Sequence, residues 1–270
     1  MSIEGPPAQN DEFWLFGYGS LIWKPPPHFD RRIPGWVVGY VRRFWQARYL
    51  DALSYPPYQD HRGTPEAPGR VVTLIERSYW EQLTDHHDSA PEKVWGVAYR
   101  IIPDRVAEVK EYLDIREING YTVDYTPFHP APGTDPALLP QRGPIQTLLY
   151  IGTPDNDQFV GPQDPQQLAE HIYRSHGPSG PNPDYLLELE KALDDLSLES
   201  GDEHVTDLSN RLRAIMAARN GEKDNQTGAK ILRSPNLVSV SLESEKTLPH
   251  HHHFKRATSV DEQEETEKTS

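Results

Sequence analysis

Phe16-Gly17-Tyr18-Gly19-Ser20-Leu21-Ile22-Trp23 closes an apolar run that begins at Phe13. The residues from Phe13 to Tyr18 are dense in aromatic and aliphatic side chains and are bounded by glycine, which predicts a short buried strand running into a turn. Two glycines around one tyrosine let the backbone come close to a ligand with its N–H groups uncovered. The amides of Gly19, Ser20 and Leu21 suit a carboxylate or a developing oxyanion, because such donors are set before the ligand arrives. Better-known loops are excluded by single residues. Ile22 stands where a dinucleotide fingerprint has its third glycine. Ser20 has Tyr18 and Ile22 two residues to either side, so it is not the serine of a nucleophile elbow. The phosphate-loop pattern is absent as well.

Outward from this loop, β-branched and aromatic residues predict further strands over Trp36–Tyr49, Arg70–Ile75, Val94–Ile102, Tyr121–Phe128 and Ile145–Ile151. Pro25-Pro26-Pro27 and the segment Tyr55–Pro68 read as loops. Ser78 is placed to cap a short helix through Leu83. Asp104 is placed to open a helix carrying Val106, Val109, Tyr112 and Leu113 at helical spacing, with Gly120 at its end and Glu117 in its last turn. Asp164-Pro165 and Asn182-Pro183 have the form of an N-cap followed by proline at the first helical position. Tyr185, Leu186, Leu189, Ala192, Leu193 and Leu196 repeat at helical spacing, and Val205–Ala218 reads as one more helix. Strands outnumber helices in the first 150 residues without βαβ alternation, so the fold class is α+β: a small mixed or antiparallel barrel-like sheet with flanking helices.

Composition sets the outer limits. The chain has 270 residues, 36% of them hydrophobic, a formal net charge of −14 and no cysteine. That charge argues against coating nucleic acid or an anionic membrane, both of which need a basic face. Without cysteine there is no disulfide, no thiolate metal ligand and no thiol nucleophile. Residues 1–11 are expected to be a flexible N-terminus, 12–219 the folded domain and 220–270 a disordered polar tail. No signal peptide or bilayer-spanning segment is visible, and a soluble cytoplasmic protein is expected. Asp85-His86-His87-Asp88 has the residue types of a metal site, but adjacent histidines do not share a helix face, so a surface turn and no metal are expected.

Arg116-Glu117-Ile118-Asn119-Gly120-Tyr121 supplies the second half of the chemistry. Glu117 falls one turn from Leu113, on a side expected to face inward. A carboxyl partly buried among apolar groups takes up a proton near neutral pH and gives it back. Tyr125, Tyr150 and Arg48 are further candidates for the pocket wall, each with packing as the plainer role.

Four blocks carry a family resemblance: the loop Phe16–Trp23; Pro34-Gly35-Trp36 with Arg42-Arg43-Phe44; Leu113-Asp114-Ile115-Arg116-Glu117 through Gly120-Tyr121; and Gly177-Pro178-Ser179-Gly180-Pro181-Asn182 with Tyr185-Leu186. In order and spacing they resemble the ChaC-type, glutathione-specific γ-glutamylcyclotransferases over roughly Phe13–Leu196. The resemblance implies cleavage of glutathione to 5-oxoproline and cysteinylglycine. It also implies that Glu117 is the acid–base residue and that Gly17, Tyr18, Gly19, Ser20, Leu21 and Ile22 hold the γ-glutamyl group. The chemistry fits independently: a γ-glutamyl amide holds its own α-amine within reach of its γ-carbonyl, so ring closure asks for orientation and a proton carrier, not for a cofactor. A small-molecule substrate is expected, and partners of the tail are left open. Two alternatives stay open too: a cyclotransferase for other γ-glutamyl amines or amino acids, and a non-catalytic binding or regulatory protein on the same scaffold.

Overall fold

The computed structural model describes residues 12–48, 62–87, 89–117, 121–141 and 143–231, with side chains left aside at 114–117 and 221–231. Strand β1 (Trp14–Gly17) is the buried strand expected before the glycine loop, and the loop itself makes one 3-10 turn over Ser20–Ile22. The stretch expected as one strand over Trp36–Tyr49 is two, β2 (Phe29–Val38) and β3 (Tyr40–Arg48). Gly39 parts them at φ +89°, a left-handed turn conformation that glycine adopts freely. Then follow β4 (Gly69–Glu76), β5 (Lys93–Ile101), β6 (Thr122–Pro130) and β7 (Ile145–Ile151).

These strands make one sheet in the order β1-β5-β2-β6-β7-β4-β3, and β7 pairs back onto β1. That last pairing is parallel, Trp14 opposite Thr147 and Leu15 opposite Leu148, and it closes β1, β5, β2, β6 and β7 into a five-stranded barrel. Closure removes the free edges that an open sheet would present. β4 joins the outside of the ring through parallel pairing of Leu74 with Ile151, and β3 pairs antiparallel with β4. Leu15, Phe16, Ile33, Val97, Tyr99 and Leu148 are completely buried in the core.

Helices pack around this sheet. In α1 (Arg77–Trp80) the N-cap position is held by Glu76, without a side-chain capping bond, and Ser78 lies inside the helix. A 3-10 turn at Pro103–Arg105 leads into α2 (Val106–Glu117), whose Val109 and Leu113 are buried as their spacing predicts. α3 (Pro165–Arg174) is capped as expected, Asp164 accepting from the Gln167 amide at 2.9 Å. α4 (Asn182–Asp194) buries Tyr185, Leu186, Leu189, Ala192 and Leu193. Its cap differs from the expectation: Pro181 holds that position and Asn182 is the first helical residue. The Asn182 side chain is spent elsewhere, accepting from the Arg70 amide at 2.7 Å and donating to the Arg70 carbonyl at 2.8 Å. A side-chain amide thus pairs with β4 as a neighbouring strand would.

α5 (Glu203–Ile231) begins near the expected Val205 and runs eleven residues past Asn220, where the polar tail was expected to start. The chain divides into two compact units, Met1–Gln226 and Thr227–Ser270. Residues 1–11, Gly120 and 232–270 lie outside the described residues.

Two buried arginines on β3 tie down the periphery. Arg42 pairs with Asp202 at 3.3 Å and donates to the Trp95 carbonyl. Arg43 pairs with Asp85 at 2.6 Å, and Asp85 also accepts from the Trp80 indole at 2.8 Å. Asp85 is therefore a buried anchor and not part of a plain surface turn. Among the described residues no group of three or more His, Asp or Glu side chains is arranged to hold a metal ion.

Candidate active site

A half-open cleft is lined by Phe16, the loop residues Tyr18, Gly19, Ser20 and Leu21, Arg48 of β3, Val71 and Val72 of β4, and the tyrosines Tyr121, Tyr150 and Tyr185. Of the loop residues expected to hold substrate, Tyr18 to Leu21 reach the wall, whereas Gly17 and Ile22 do not.

The glycines matter through close packing, not through unusual φ. A Cβ on Gly17 would lie 2.6 Å from the Leu21 Cβ, and one on Gly19 would lie 2.8 Å from Val72 Cγ1 and 3.2 Å from the Tyr185 hydroxyl. Gly17 lets the loop fold back on itself, and Gly19 lets it press against β4 and α4. The turn's own bonding begins at the Ile22 amide, which donates to the Gly19 carbonyl at 2.9 Å. From below, the hydroxyl of fully buried Tyr99 on β5 donates to the Leu21 carbonyl at 2.7 Å. With its carbonyl held toward the core, the loop keeps a fixed shape before any ligand binds.

The remaining walls come from three directions. Tyr185 is packed edge-on by Trp23 and Phe44, with ring centroids at 5.6 and 5.9 Å, and the Arg62 guanidinium lies 5.6 Å over its ring. Arg62 also donates to the Pro181 carbonyl at 3.0 Å, next to the start of α4. Tyr121 and Tyr150 meet edge to face at 6.4 Å. The Tyr121 hydroxyl lies 3.5 Å from the Val72 carbonyl, and the Arg48 guanidinium sits 5.8 Å over the Tyr121 ring.

Glu117 is the last residue of α2, and its side chain lies outside the description. Tyr121, four positions later, is already in the cleft wall. Of the other candidates, Arg48 and Tyr150 line the cleft and Tyr125 does not. Val71, Val72 and Tyr185 were read only as strand and helix core. For Tyr185 the available signal was its place in the Gly177–Leu186 block, set beside a helix face that would have been complete without a hydroxyl.

Behind the cleft, the Phe44 amide donates to Nε2 of buried His204 at 3.0 Å. An N–H can only donate, so Nε2 is the acceptor and the ring proton of His204 sits on Nδ1, 3.2 Å from Nδ1 of His87. His87 in turn reaches Asp207 at 3.1 Å. Burial holds His204 well below the ordinary histidine range, and the positive charge of Arg43 and Arg42 pushes the same way.

The family model of ChaC-like proteins matches residues 13–215. The chain is 43% identical over 204 residues to the glutathione-specific γ-glutamylcyclotransferase of Schizosaccharomyces pombe, covering 75% of this chain and 93% of that one. It is 38% identical over 224 residues to the protein of the same name from Saccharomyces cerevisiae, covering 73% and 92%. A crystal structure of the yeast γ-glutamyl cyclotransferase specific to glutathione superposes with a TM-score of 0.64 at 36% identity, over 76% of this chain and 97% of that one.

Proposed function

Since the chain belongs to the ChaC-like family, we propose that it is a glutathione-specific γ-glutamylcyclotransferase, converting glutathione to 5-oxoproline and cysteinylglycine. The observation that carries this reading is the cleft in which the Tyr18–Leu21 loop faces Tyr121, four residues beyond Glu117. In the reaction the α-amine attacks its own γ-carbonyl carbon, a five-membered lactam forms, and the bond to the cysteine nitrogen breaks. No water is consumed. The attacking nitrogen starts as an ammonium and ends as a lactam N–H, losing two protons, while the departing nitrogen gains two and leaves as an ammonium. Glu117 is assigned the first transfer, taking a proton from the ammonium and delivering it to the leaving nitrogen, and the second exchanges through solvent. Loop amides at Gly19 to Leu21 hold the substrate carboxylate or the transient oxyanion. The cleft's aromatic walls favour an intramolecular reaction, because holding the γ-glutamyl group in a curled shape is most of the task.

No helix among the described residues is long and apolar enough to cross a membrane. We place the activity in the cytoplasm, which imaging of a fluorescent fusion checks. For the reaction itself, Glu117→Gln is expected to keep the fold by circular dichroism and to lower 5-oxoproline release from glutathione by about 10²–10⁴-fold. Turnover within a few-fold of the parent protein would remove Glu117 from the mechanism.

A further inference from the structure

Arg48 is the one formally charged residue among the described residues that line the cleft, in a chain whose net charge is −14. It is buried, 5% exposed, at the end of β3. Its place in the strand register sets it apart from the glycine loop. Gly19 presses on Val72, whereas Arg48 pairs with Gly69, three residues back along β4. At the rise of a β-strand that interval is about 10 Å. Tyr121 bridges it, with its hydroxyl beside the Val72 carbonyl and its ring under the Arg48 guanidinium. The guanidinium therefore sits across an aromatic ring from the loop, within the same cleft.

Glutathione carries a carboxylate at each end, and with the extra carbons of its γ-linkage the two lie at most roughly 12–13 Å apart, enough to bridge that interval. We propose that Arg48 is a specificity-determining residue that receives the carboxylate of the terminal glycine, while the Tyr18–Leu21 loop holds the γ-glutamyl end. This rests on the cyclotransferase reading above and adds to it the recognition of the cysteinylglycine half. The planar guanidinium matches a carboxylate with two parallel N–H donors, and the Tyr121 face fixes its plane. A γ-glutamyl compound whose far end is uncharged, or ends one residue sooner, offers the Arg48 guanidinium no carboxylate to receive. The penalty falls on binding of that compound and not on the ring closure.

The test compares 5-oxoproline release from glutathione and from its glycinamide analogue, using the full chain and the variants Arg48→Met and Arg48→Lys. The parent protein is expected to favour glutathione by about 10- to 100-fold in kcat/KM, the worth of a charge-assisted pair. Arg48→Met is expected to erase that preference by raising KM for glutathione while leaving the glycinamide compound within about threefold of its parent value; Arg48→Lys should fall between. Equal use of the two compounds by the parent protein overturns the assignment. So does an equal loss on both in Arg48→Met, which marks a role in the shared γ-glutamyl half or in folding. If the parent releases no 5-oxoproline from either compound, the activity reading fails on its own, and calorimetry on Glu117→Gln protein still decides the role of Arg48. Tighter binding of glutathione than of the glycinamide, lost when Arg48→Met is added, supports it, and equal or undetectable binding of both overturns it.

Discussion

Tyr99 shows how a residue outside the cleft determines what the cleft can do. Its ring belongs to the buried core and its hydroxyl serves the loop above, donating to the Leu21 carbonyl at 2.7 Å. Burial raises the phenol's pKa, so it remains a donor across the working pH range. Tyr99→Phe leaves that carbonyl without its donor in a dry place and is expected to cost about 1–3 kcal/mol in urea unfolding. Because the loop loses its support from below, KM should rise more than kcat falls. An unchanged KM together with the stability loss would show that the loop keeps its shape without Tyr99. The glycines around Tyr18 teach a related lesson. Their presence in the sequence pointed to a backbone meeting a ligand, and the structure adds a second reason: Leu21, Val72 and Tyr185 occupy the space their side chains would need. Such contacts join residues up to 166 positions apart, Gly19 to Tyr185, and leave no mark on local sequence.

At the level of elements, β4 and α4 are joined by one side chain. Asn182 stands in for a strand partner to Arg70, and His171 of α3 adds a hydrogen bond to the Pro68 carbonyl at 2.6 Å just before β4 starts. Asn182→Ala leaves the half-buried N–H and C=O of Arg70 without partners and is expected to destabilise the fold by about 1–3 kcal/mol. Asn182→Asp keeps the acceptor but faces the Arg70 carbonyl with a second oxygen, and should be no better than alanine in thermal unfolding. Recovery of near-parent stability in the aspartate variant would show that only the bond from the Arg70 amide counts. This joint also explains where sequence reading stopped. Asn-Pro before a periodic apolar helix has the form of a cap, and nothing nearby reveals that the amide is engaged 112 residues away. The strand half Phe29–Pro34 was likewise hidden, since Asp30, Arg31 and Arg32 interrupt the apolar signal and Pro34 is a poor strand former. Segments with dense β-branched and aromatic character, Val94–Ile102 and Ile145–Ile151 among them, were legible because burial on both faces leaves no polar alternation to obscure them.

Across the whole molecule, the connection from Asp207 through His87 and His204 to the Phe44 amide makes stability depend on pH with a definite sign. His204 is held neutral in the fold, below its unfolded pKa near 6.5, so on acidification the unfolded chain takes up the proton first. Stability is full above about pH 6.5 and falls as the pH drops below it, by up to about 1.4 kcal/mol per pH unit for this one group. The melting temperature is expected to fall between pH 7 and pH 5.5, and to fall less in His204→Gln, which has no ring to protonate. Parallel pH profiles in the two proteins would assign the acid sensitivity elsewhere. The seam between β1 and β7 has another kind of consequence. On the ribosome, β1 meets β5 first and must wait for more than 130 further residues before β7, its partner across the seam, exists, and the tyrosine that walls the far side of the cleft comes later still. A nascent chain stalled before Ile145 thus carries the glycine loop without the barrel that shapes it, and catalytic competence arrives late in translation, when the beginning of the chain is already old.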